Sequence, residues 1–255
     1  MNLRKLRGEN TPKMKSPKKG TQKRKSNLIK RPIVEHLGEL RFRMLFSLSF
    51  FMIISFVLFF LSPYVLKRVI TDFINNSVRI VSLSPTEVIL SEIRIALFLA
   101  FIVSLPVFIY HFFKFVKPAV KDNEKSMFIL FILFGPLLFL VGSWFAYFIV
   151  LNFVITFFSK ISLLVVNYNF WSLKELIRFI TNFCFSFGLV FELPLIMFFL
   201  NSLGLATKDD FKKYRPYIYL IIFILSAIIT PPDVVTLLIL ALPLIVLYEL
   251  SLMFF

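Results

Sequence analysis

The sequence predicts an all-α integral membrane protein with six transmembrane helices. The chain has 255 residues, of which 58% are hydrophobic and 35 are Phe, whereas soluble domains average nearer about 45–50% apolar residues. Its apolar residues fall in long runs, and a bilayer core takes about 20 residues as a helix. Lipid cannot form hydrogen bonds with backbone N–H and C=O groups, so a chain that does not close into a barrel spans a bilayer as α-helices.

Six apolar runs are the candidate spans. They are Met44–Leu61, Ile95–Phe113, Met127–Val150, Leu176–Leu200, Tyr217–Ile229 and Val234–Phe255. The fifth run is short for a full span, and the turn before the sixth is so tight that the two must form an antiparallel hairpin. The two long loops, Ser62–Arg94 and Leu151–Glu175, contain helix-like fragments such as Tyr64–Asn75, which begins after Pro63.

The N-terminal segment, residues 1–31, is strongly basic. It contains 12 of the 29 Lys and Arg residues, includes Pro12 and Pro17, and lacks apolar periodicity. We therefore expect a disordered cytoplasmic tail at 1–31, followed by a membrane domain at 32–255. A solvated segment that anchors the topology is the favoured interpretation of this tail. If the tail binds a partner, anionic lipid headgroups are nearer than nucleic acid, and each basic residue near such a surface contributes about 1 kcal/mol.

The distribution of Lys and Arg between loops predicts that both termini are cytoplasmic. Basic residues concentrate in the segment up to Arg43 and in the short segments Lys114–Lys125 and Lys208–Arg215. The other two loops are longer and carry basic residues at a lower density, and positive charge marks the inside. We therefore predict an N-in, C-in topology.

Residue patterns for common enzyme chemistry are absent from the sequence. The single cysteine, Cys184, allows no internal disulfide, and His36 and His111 do not form a paired metal motif. There is no Gly-rich phosphate loop and no G-x-S-x-G element. We therefore expect no metal, no cofactor and no enzymatic activity.

Glu192 is the clearest polar residue within a predicted span. An ionised carboxylate in lipid strongly prefers water, a partner or a proton, so intramembrane carboxylates are candidates for function. Pro194 leaves the carbonyl of Val190 without its usual partner and should loosen the helix. Glu192 is therefore either a functional group or a protonated structural residue bonded to another helix. We interpret Glu249, in the sixth run, as interfacial.

Two further carboxylate clusters lie on the predicted cytoplasmic side. The first is the segment Glu35–Arg43, which leads into the first span, and the second is Phe115–Ala119, followed by Glu124. Taken alone, each is an ordinary interfacial turn or loop. Together they place carboxylates where cytoplasmic cargo would arrive, and carboxylates suit guanidinium groups because the fork geometry allows two parallel bonds.

Five motifs in order make the chain resemble the TatC family, the large subunit of the twin-arginine translocase, over about Pro32 to Phe255. They are His36-Leu37-Gly38-Glu39-Leu40-Arg41, Phe115-x-x-Pro118 with Glu124, Phe187-Gly188-x-x-Phe191-Glu192-x-Pro194, Arg215-Pro216-Tyr217 and Thr230-Pro231-Pro232-Asp233. Pro85-Thr86-Glu87 is also similar to that family.

The resemblance implies a glove-shaped bundle with a concave face and short fifth and sixth helices. It implies that the cytoplasmic face binds twin-arginine signal peptides of folded precursors, with Glu39 and Glu124 meeting the arginines. The other residues of the two binding motifs are His36, Leu40, Arg41 and Pro118. Glu192 matches a carboxylate within the concavity.

The resemblance also implies partners, an energy source and a location. Small single-span subunits of the TatA and TatB kind would dock at the hairpin, at Thr230, Pro231, Pro232, Asp233 and Leu237. Transport would use the proton-motive force, and the chain would associate with itself in a receptor complex. The membrane would be the bacterial inner membrane or an organellar equivalent. The family often carries Gln where this chain has Leu237, and a longer basic run where it has only Lys125.

Two other classes of function remain open at this stage. In a secondary transporter or channel for a small solute, Glu192 would be an ion or proton site, but the sequence shows no internal repeat and few further intramembrane charges. An intramembrane enzyme would need a nucleophile with a base or a set of metal ligands, and the sequence offers neither pattern.

Overall fold

The protein is almost entirely helical. The computed structural model describes residues 33–74, 79–116, 125–164, 170–230 and 233–253. The chain divides into two units, Met1–Glu39 and Leu40–Phe255, and all packing described below lies within the second. The predicted tail, 1–31, lies outside the described residues, so its disorder and its boundary stay predictions.

Ten α-helices occupy the described part of the chain. They are α1 (Ile33–Phe59), α2 (Ser62–Ile74), α3 (Pro85–Val116), α4 (Lys125–Phe145), α5 (Leu151–Leu163), α6 (Leu173–Phe191), α7 (Leu193–Ser202), α8 (Lys208–Lys213), α9 (Arg215–Ile229) and α10 (Val234–Met253). Five stretches are long and apolar enough to cross a membrane: Gly38–Phe59, Pro85–Phe115, Ile129–Leu163, Leu173–Ser202 and Val234–Met253. Arg215–Ile229 is a shorter apolar helix. Each predicted span therefore corresponds to a helix or to a pair of consecutive helices.

The third span is longer than the sequence predicts. A π-helical turn at Ala146–Val150 joins α4 to α5, so helix continues to Leu163 through the first half of the predicted loop Leu151–Glu175. That loop prediction is wrong because Leu151, Val154 and Ile155 of α5 are completely buried in the core. The second span is also longer than predicted, since α3 begins at Pro85.

The segment after α1 contains the predicted helix fragment and an unpredicted strand. The amphipathic helix α2 buries Leu66, Val69 and Phe73 and includes Pro63 in its first turn. Strand β1 (Arg79–Val81) then pairs in parallel with β2 (Phe170–Ser172), just before α6. This two-stranded sheet joins the two long connections that the sequence predicts on the same side of the membrane.

A buried carboxylate holds this sheet to α3. Glu87 lies in the first turn of α3, where its Oε2 accepts a hydrogen bond of 3.2 Å from the backbone N–H of Leu83. Its Oε1 accepts a second bond of 3.2 Å from the hydroxyl of Ser172 in β2. Because buried carboxylates are costly without such partners, Glu87 fixes the start of α3 against β2.

Close packing of α4 against α6 forms the centre of the bundle. Gly142 of α4 faces the backbone carbonyl of Phe187, and Gly188 of α6 faces the ring of Phe139. A Cβ atom at either glycine would lie 2.6 Å from its nearest neighbour. Small residues let helix backbones approach closely in membranes, so these two glycines set the separation of the helices.

The last two helices form the predicted hairpin and are the shortest of the spans. Helix α9 has 15 residues, or about 22 Å at 1.5 Å per residue. Helix α10 has 20 residues, which is long enough to span but makes it the shortest of the five membrane-length stretches.

The short helix α8 precedes this hairpin and begins with a capping box. Thr207 and Asp210 bond each other's backbone N–H groups at this end of the helix. The hydrogen bonds from Thr207, assisted by nearby Lys213, hold the pKa of the exposed Asp210 carboxyl below its usual value. Acidic residues near a helix N-terminus also complement its dipole, so α8 has a well-defined start.

Candidate functional site

Glu192 lies at a break in the fourth span, as the position of Pro194 predicts. Helix α6 ends at Phe191 and α7 begins at Leu193, with Pro194 in the first turn of α7. Because proline lacks an N–H, it cannot continue the hydrogen-bond pattern of α6. The break is a single turn residue with a nearly helical backbone, and it places a carboxylate in the middle of an apolar helical stretch.

The surroundings of this carboxylate are apolar. A methyl group added at Gly135 of α4 would lie 3.5 Å from Glu192 Oε2, 3.7 Å from Oε1 and 2.7 Å from Ile109 of α3. The oxygen Oε1 is buried, and no described residue forms a hydrogen bond with it. Within the described residues this oxygen lacks the partner on another helix that the structural interpretation expects, and the role of Glu192 stays a prediction.

Three aromatic rings pack together on the helices that flank Glu192. The ring centroids of Phe113, Phe131 and Phe199 lie 4.8–5.3 Å apart, with Ile109 and Leu195 packed against them. Such rings prefer edge-to-face contacts. The cluster joins α3, α4 and α7, so it holds in place the helices on which Gly135, Ile109 and Glu192 lie.

The predicted signal-peptide site is only partly within the described residues. Glu39 and Leu40 are half-buried and Arg41 is exposed, all in the first turns of α1. The side chain of His36 lies outside the described residues, as do Pro118 and Glu124. The pairing of Glu39 with Glu124 around one arginine motif therefore stays a prediction.

The turn between α9 and α10 is capped as predicted. Asp233 Oδ1 accepts a hydrogen bond of 2.8 Å from the backbone N–H of Thr236, which makes Asp233 the N-cap of α10. Thr230 is buried and donates its hydroxyl to the carbonyl of Ser226 at 2.8 Å, while Leu237 is half-buried. Pro231 and Pro232 lie outside the described residues.

An ion pair that the sequence analysis missed fastens the other end of this hairpin. Arg215 Nη2 lies 2.6 Å from Glu249 Oε2, and the hydroxyl of Tyr219 donates to Glu249 Oε1. The hydroxyl of Tyr248 donates to the carbonyl of Phe211 in α8 at 2.8 Å. The interpretation of Glu249 as interfacial misses its ion pair with Arg215. The predicted antiparallel hairpin is the signal that could have revealed the pair, since it makes the first residue of α9 a neighbour of the last turns of α10.

Comparison with known proteins identifies relatives over most of the chain. A sequence model of the family described as Sec-independent protein translocase protein (TatC) matches residues 35–243. The chain is 36% identical over 225 residues to the TatC protein of Aquifex aeolicus, covering 86% of this chain and 92% of that protein. It is 34% identical over 220 residues to the TatC protein of Helicobacter pylori, covering 86% and 85% of the two chains.

The fold is similar to that of a solved relative. The crystal structure of the twin arginine translocase receptor TatC superposes with a TM-score of 0.77 at 35% sequence identity. The match covers 86% of this chain and 96% of that one. The ordered motifs, the helix break at Glu192 and the capped terminal hairpin agree with these sequence and structural matches. The chain belongs to the TatC family.

Proposed function

We propose that this chain is the receptor subunit of a twin-arginine translocase and that its cytoplasmic face binds signal peptides with consecutive arginines. As a member of the TatC family it is a component of a protein translocase, not an enzyme, and it is a multi-pass protein of the bacterial inner membrane. The observation that carries the proposal is the likeness, over 86% of the chain, to a solved twin arginine translocase receptor.

The chemistry of recognition rests on Glu39 and Glu124. Glu39 lies at the beginning of the first long apolar helix, so in the proposed orientation its carboxylate lies near the cytoplasmic surface. Glu124 directly precedes α4 in the sequence, and in the predicted N-in topology the first and third spans begin on the same side of the membrane. Two carboxylates at one membrane surface can each take a guanidinium fork, a geometry that lysine cannot reproduce.

The test is binding of a precursor with a twin-arginine signal to variants in detergent. Glu39→Ala and Glu124→Ala should each weaken binding by roughly 1.5–3 kcal/mol, the strength of a charge-assisted hydrogen bond, and the double variant should be weaker still. Asp209→Ala is the matched control, since Asp209 is an exposed carboxylate on a segment predicted to face the same side.

A precursor with lysines in place of the two arginines serves as the ligand control. It should bind wild type weakly and should discriminate little between wild type and the variants. Binding of the twin-arginine precursor to the double variant as tightly as to wild type would mean that the recognition site is misassigned.

Glu192 would act after recognition, within the membrane. Its carboxylate lies in an apolar setting beside Gly135, with Oε1 lacking a described hydrogen-bond partner. Such a group is available to a polar segment that passes through the bundle or to water that accompanies it. We therefore assign Glu192 to passage of the cargo and not to capture of the signal peptide.

The hairpin of α9 and α10 would receive the small single-span subunits of the TatA and TatB kind. Helix α9 carries a series of large apolar side chains that are 44–75% exposed: Leu220, Ile221, Ile224, Leu225 and Ile228. At about 22 Å this helix is shorter than a bilayer core of about 30 Å, and mismatch is relieved by local thinning or by a partner helix. Both features favour docking here.

The proposal also includes topology, assembly and energy. With both termini in the cytoplasm, the arginine-binding segments face the compartment in which precursors fold. Since the sequence has no phosphate-binding loop, the proton-motive force would drive export. Association of several copies of the chain would form the receptor complex.

A further inference from the structure

A cavity at the end of the bundle where α6 begins and α9 ends has the character of a membrane interface. Its volume is about 570 Å³, within the range of small-molecule pockets. Glu175, Arg178 and Asn182 of α6 line one wall, and Phe158 of α5 with Ile229 of α9 line the apolar part. Charged and apolar surfaces therefore meet in one cavity, as the head and tail of a lipid do.

The polar wall carries both signs of charge side by side. Positions 175, 178 and 182 follow the spacing of one helix face, and Arg178 Nη1 lies 3.8 Å from Glu175 Oε2. At that length the contact is a weak ion pair, and both side chains are more than half exposed. Such surface pairs contribute little, so each member can accept another partner at small cost.

The mouth of the cavity opens beside exposed apolar residues of α9. Ile228, which also lines it, is 75% exposed, and Ile224 on the same side of α9 is exposed as well. Trp171 lines the cavity beside the charged residues, and tryptophan favours the level of the lipid headgroups. The charged wall thus lies at headgroup depth and the apolar wall faces the acyl chains.

We propose that this cavity binds one phospholipid with a primary-amine, zwitterionic headgroup, that is, a phosphatidylethanolamine. Its phosphate would meet the guanidinium of Arg178, its ammonium would donate to the carboxylate of Glu175, and an acyl chain would lie against Phe158 and Ile229. Phosphatidylglycerol brings only negative charge beside Glu175. Phosphatidylcholine has no N–H with which to donate to that carboxylate.

The two tryptophans of the chain allow a direct test. Trp171 lines this cavity, whereas Trp144 lines a different one beneath α2. In the Trp144→Phe variant, Trp171 is the only tryptophan, and lipids brominated near the ester end of their acyl chains quench it by contact. The protein is reconstituted in phosphatidylcholine bilayers with increasing fractions of brominated phosphatidylethanolamine, phosphatidylcholine or phosphatidylglycerol.

Brominated phosphatidylethanolamine should reach half-maximal quenching at a roughly three- to tenfold lower mole fraction than brominated phosphatidylcholine, as two exposed charge contacts would give. Arg178→Gln should abolish that preference, and Glu175→Gln should shift it toward phosphatidylglycerol. Arg68→Gln, at the comparable Arg68–Asp72 pair on α2, should leave it unchanged. The Trp171→Phe variant reports from Trp144, whose cavity is lined by Arg68 and Asp72. It should show no preference, because that pair is close at 3.1 Å and Asp72 already accepts the hydroxyl of Tyr147.

Two outcomes would overturn the proposal. One is half-maximal quenching at the same mole fraction of all three lipids, which would mean that the cavity does not select a headgroup. If a twin-arginine signal peptide also displaced the lipids, the peptide would be the better candidate for the cavity. The other is a preference for phosphatidylethanolamine that survives Arg178→Gln in a protein with an unchanged thermal unfolding midpoint.

Discussion

Replacing Gly142 with alanine tests whether the close crossing of α4 and α6 determines the stability of the bundle. A Cβ at this position would lie 2.6 Å from the backbone carbonyl oxygen of Phe187 and 2.8 Å from Cγ of Phe191. Ordinary contacts between a carbon and a carbonyl oxygen are about 3.3–3.6 Å. The two helices would therefore have to separate by roughly 0.7–1 Å, because a backbone atom cannot rotate away.

The expected cost follows from two opposing effects. Overpacking a close-packed core costs about 1–3 kcal/mol, and this case belongs at the upper end because backbone must move. Alanine gains up to about 1 kcal/mol of helix propensity over glycine, but this gain is reduced in a membrane, where separated helices remain helical. We expect a net loss of about 2 kcal/mol, or a fall of roughly 4–8 °C in the unfolding midpoint for a chain of this size.

The assay is thermal unfolding of the purified protein in detergent, compared with Gly38→Ala. A Cβ at Gly38 meets nothing within 4 Å, so this control should be as stable as wild type or slightly more stable. If Gly142→Ala unfolds at the same temperature as Gly38→Ala, the glycine does not set the helix separation and the reasoning fails.

Three further predictions concern other parts of the chain. Glu249→Ala should destabilise the protein in the same thermal assay by roughly 1–2 kcal/mol, since it leaves half-buried Arg215 without its partner. A double variant, Arg215→Met with Glu249→Leu, should recover part of the lost stability. Wild-type stability of Glu249→Ala would contradict this prediction. Glu192→Gln should still bind precursor while Glu192→Leu should block export, and normal export by the Leu variant would return Glu192 to a structural role. Lengthening α9 by four leucines should leave precursor binding intact and reduce export; full export, with no crosslink from Leu237 to a small subunit, would remove the hairpin from the docking proposal.

Much of the fold could be predicted because apolar runs in a membrane protein correspond directly to helices. The break at Glu192 was also predictable, since Pro194 removes a donor at a known offset. The N-cap at Asp233 followed from the residue type beside a tight turn. These features depend on residues that are neighbours in sequence.

The unpredicted features depend on residues far apart in sequence. The pairing of β1 with β2 involves two three-residue segments whose composition gives no strand signal by itself. The sequence predicts a loop where α5 lies, because the residues against which α5 packs are distant in sequence and no local pattern identifies them. Gly142 and Gly188 are visible as small residues, but which helix each faces is a property of the folded bundle.

The candidate site shows the same division. The sequence identifies Glu192 as costly in lipid, but not that Gly135 and Ile109 lie beside it. It lists Arg215 and Glu249 as separate charges, and only their short contact shows that they act together. The cavity beside Arg178 is formed by α5, α6 and α9, so no local pattern could reveal it.

The bonds of Glu87 have a consequence for the biosynthesis of this chain. Ser172, one of its two partners, follows it by 85 residues, and ribosomes add about 5–20 residues per second. A nascent chain therefore carries Glu87 for roughly 4–17 seconds before Ser172 has been made. During that interval α3, α4 and α5 must enter the bilayer while the start of α3 is still unfastened. A chain that stalls before Phe170 therefore keeps residues 79–87 without the contacts to β2 that hold them in the finished protein.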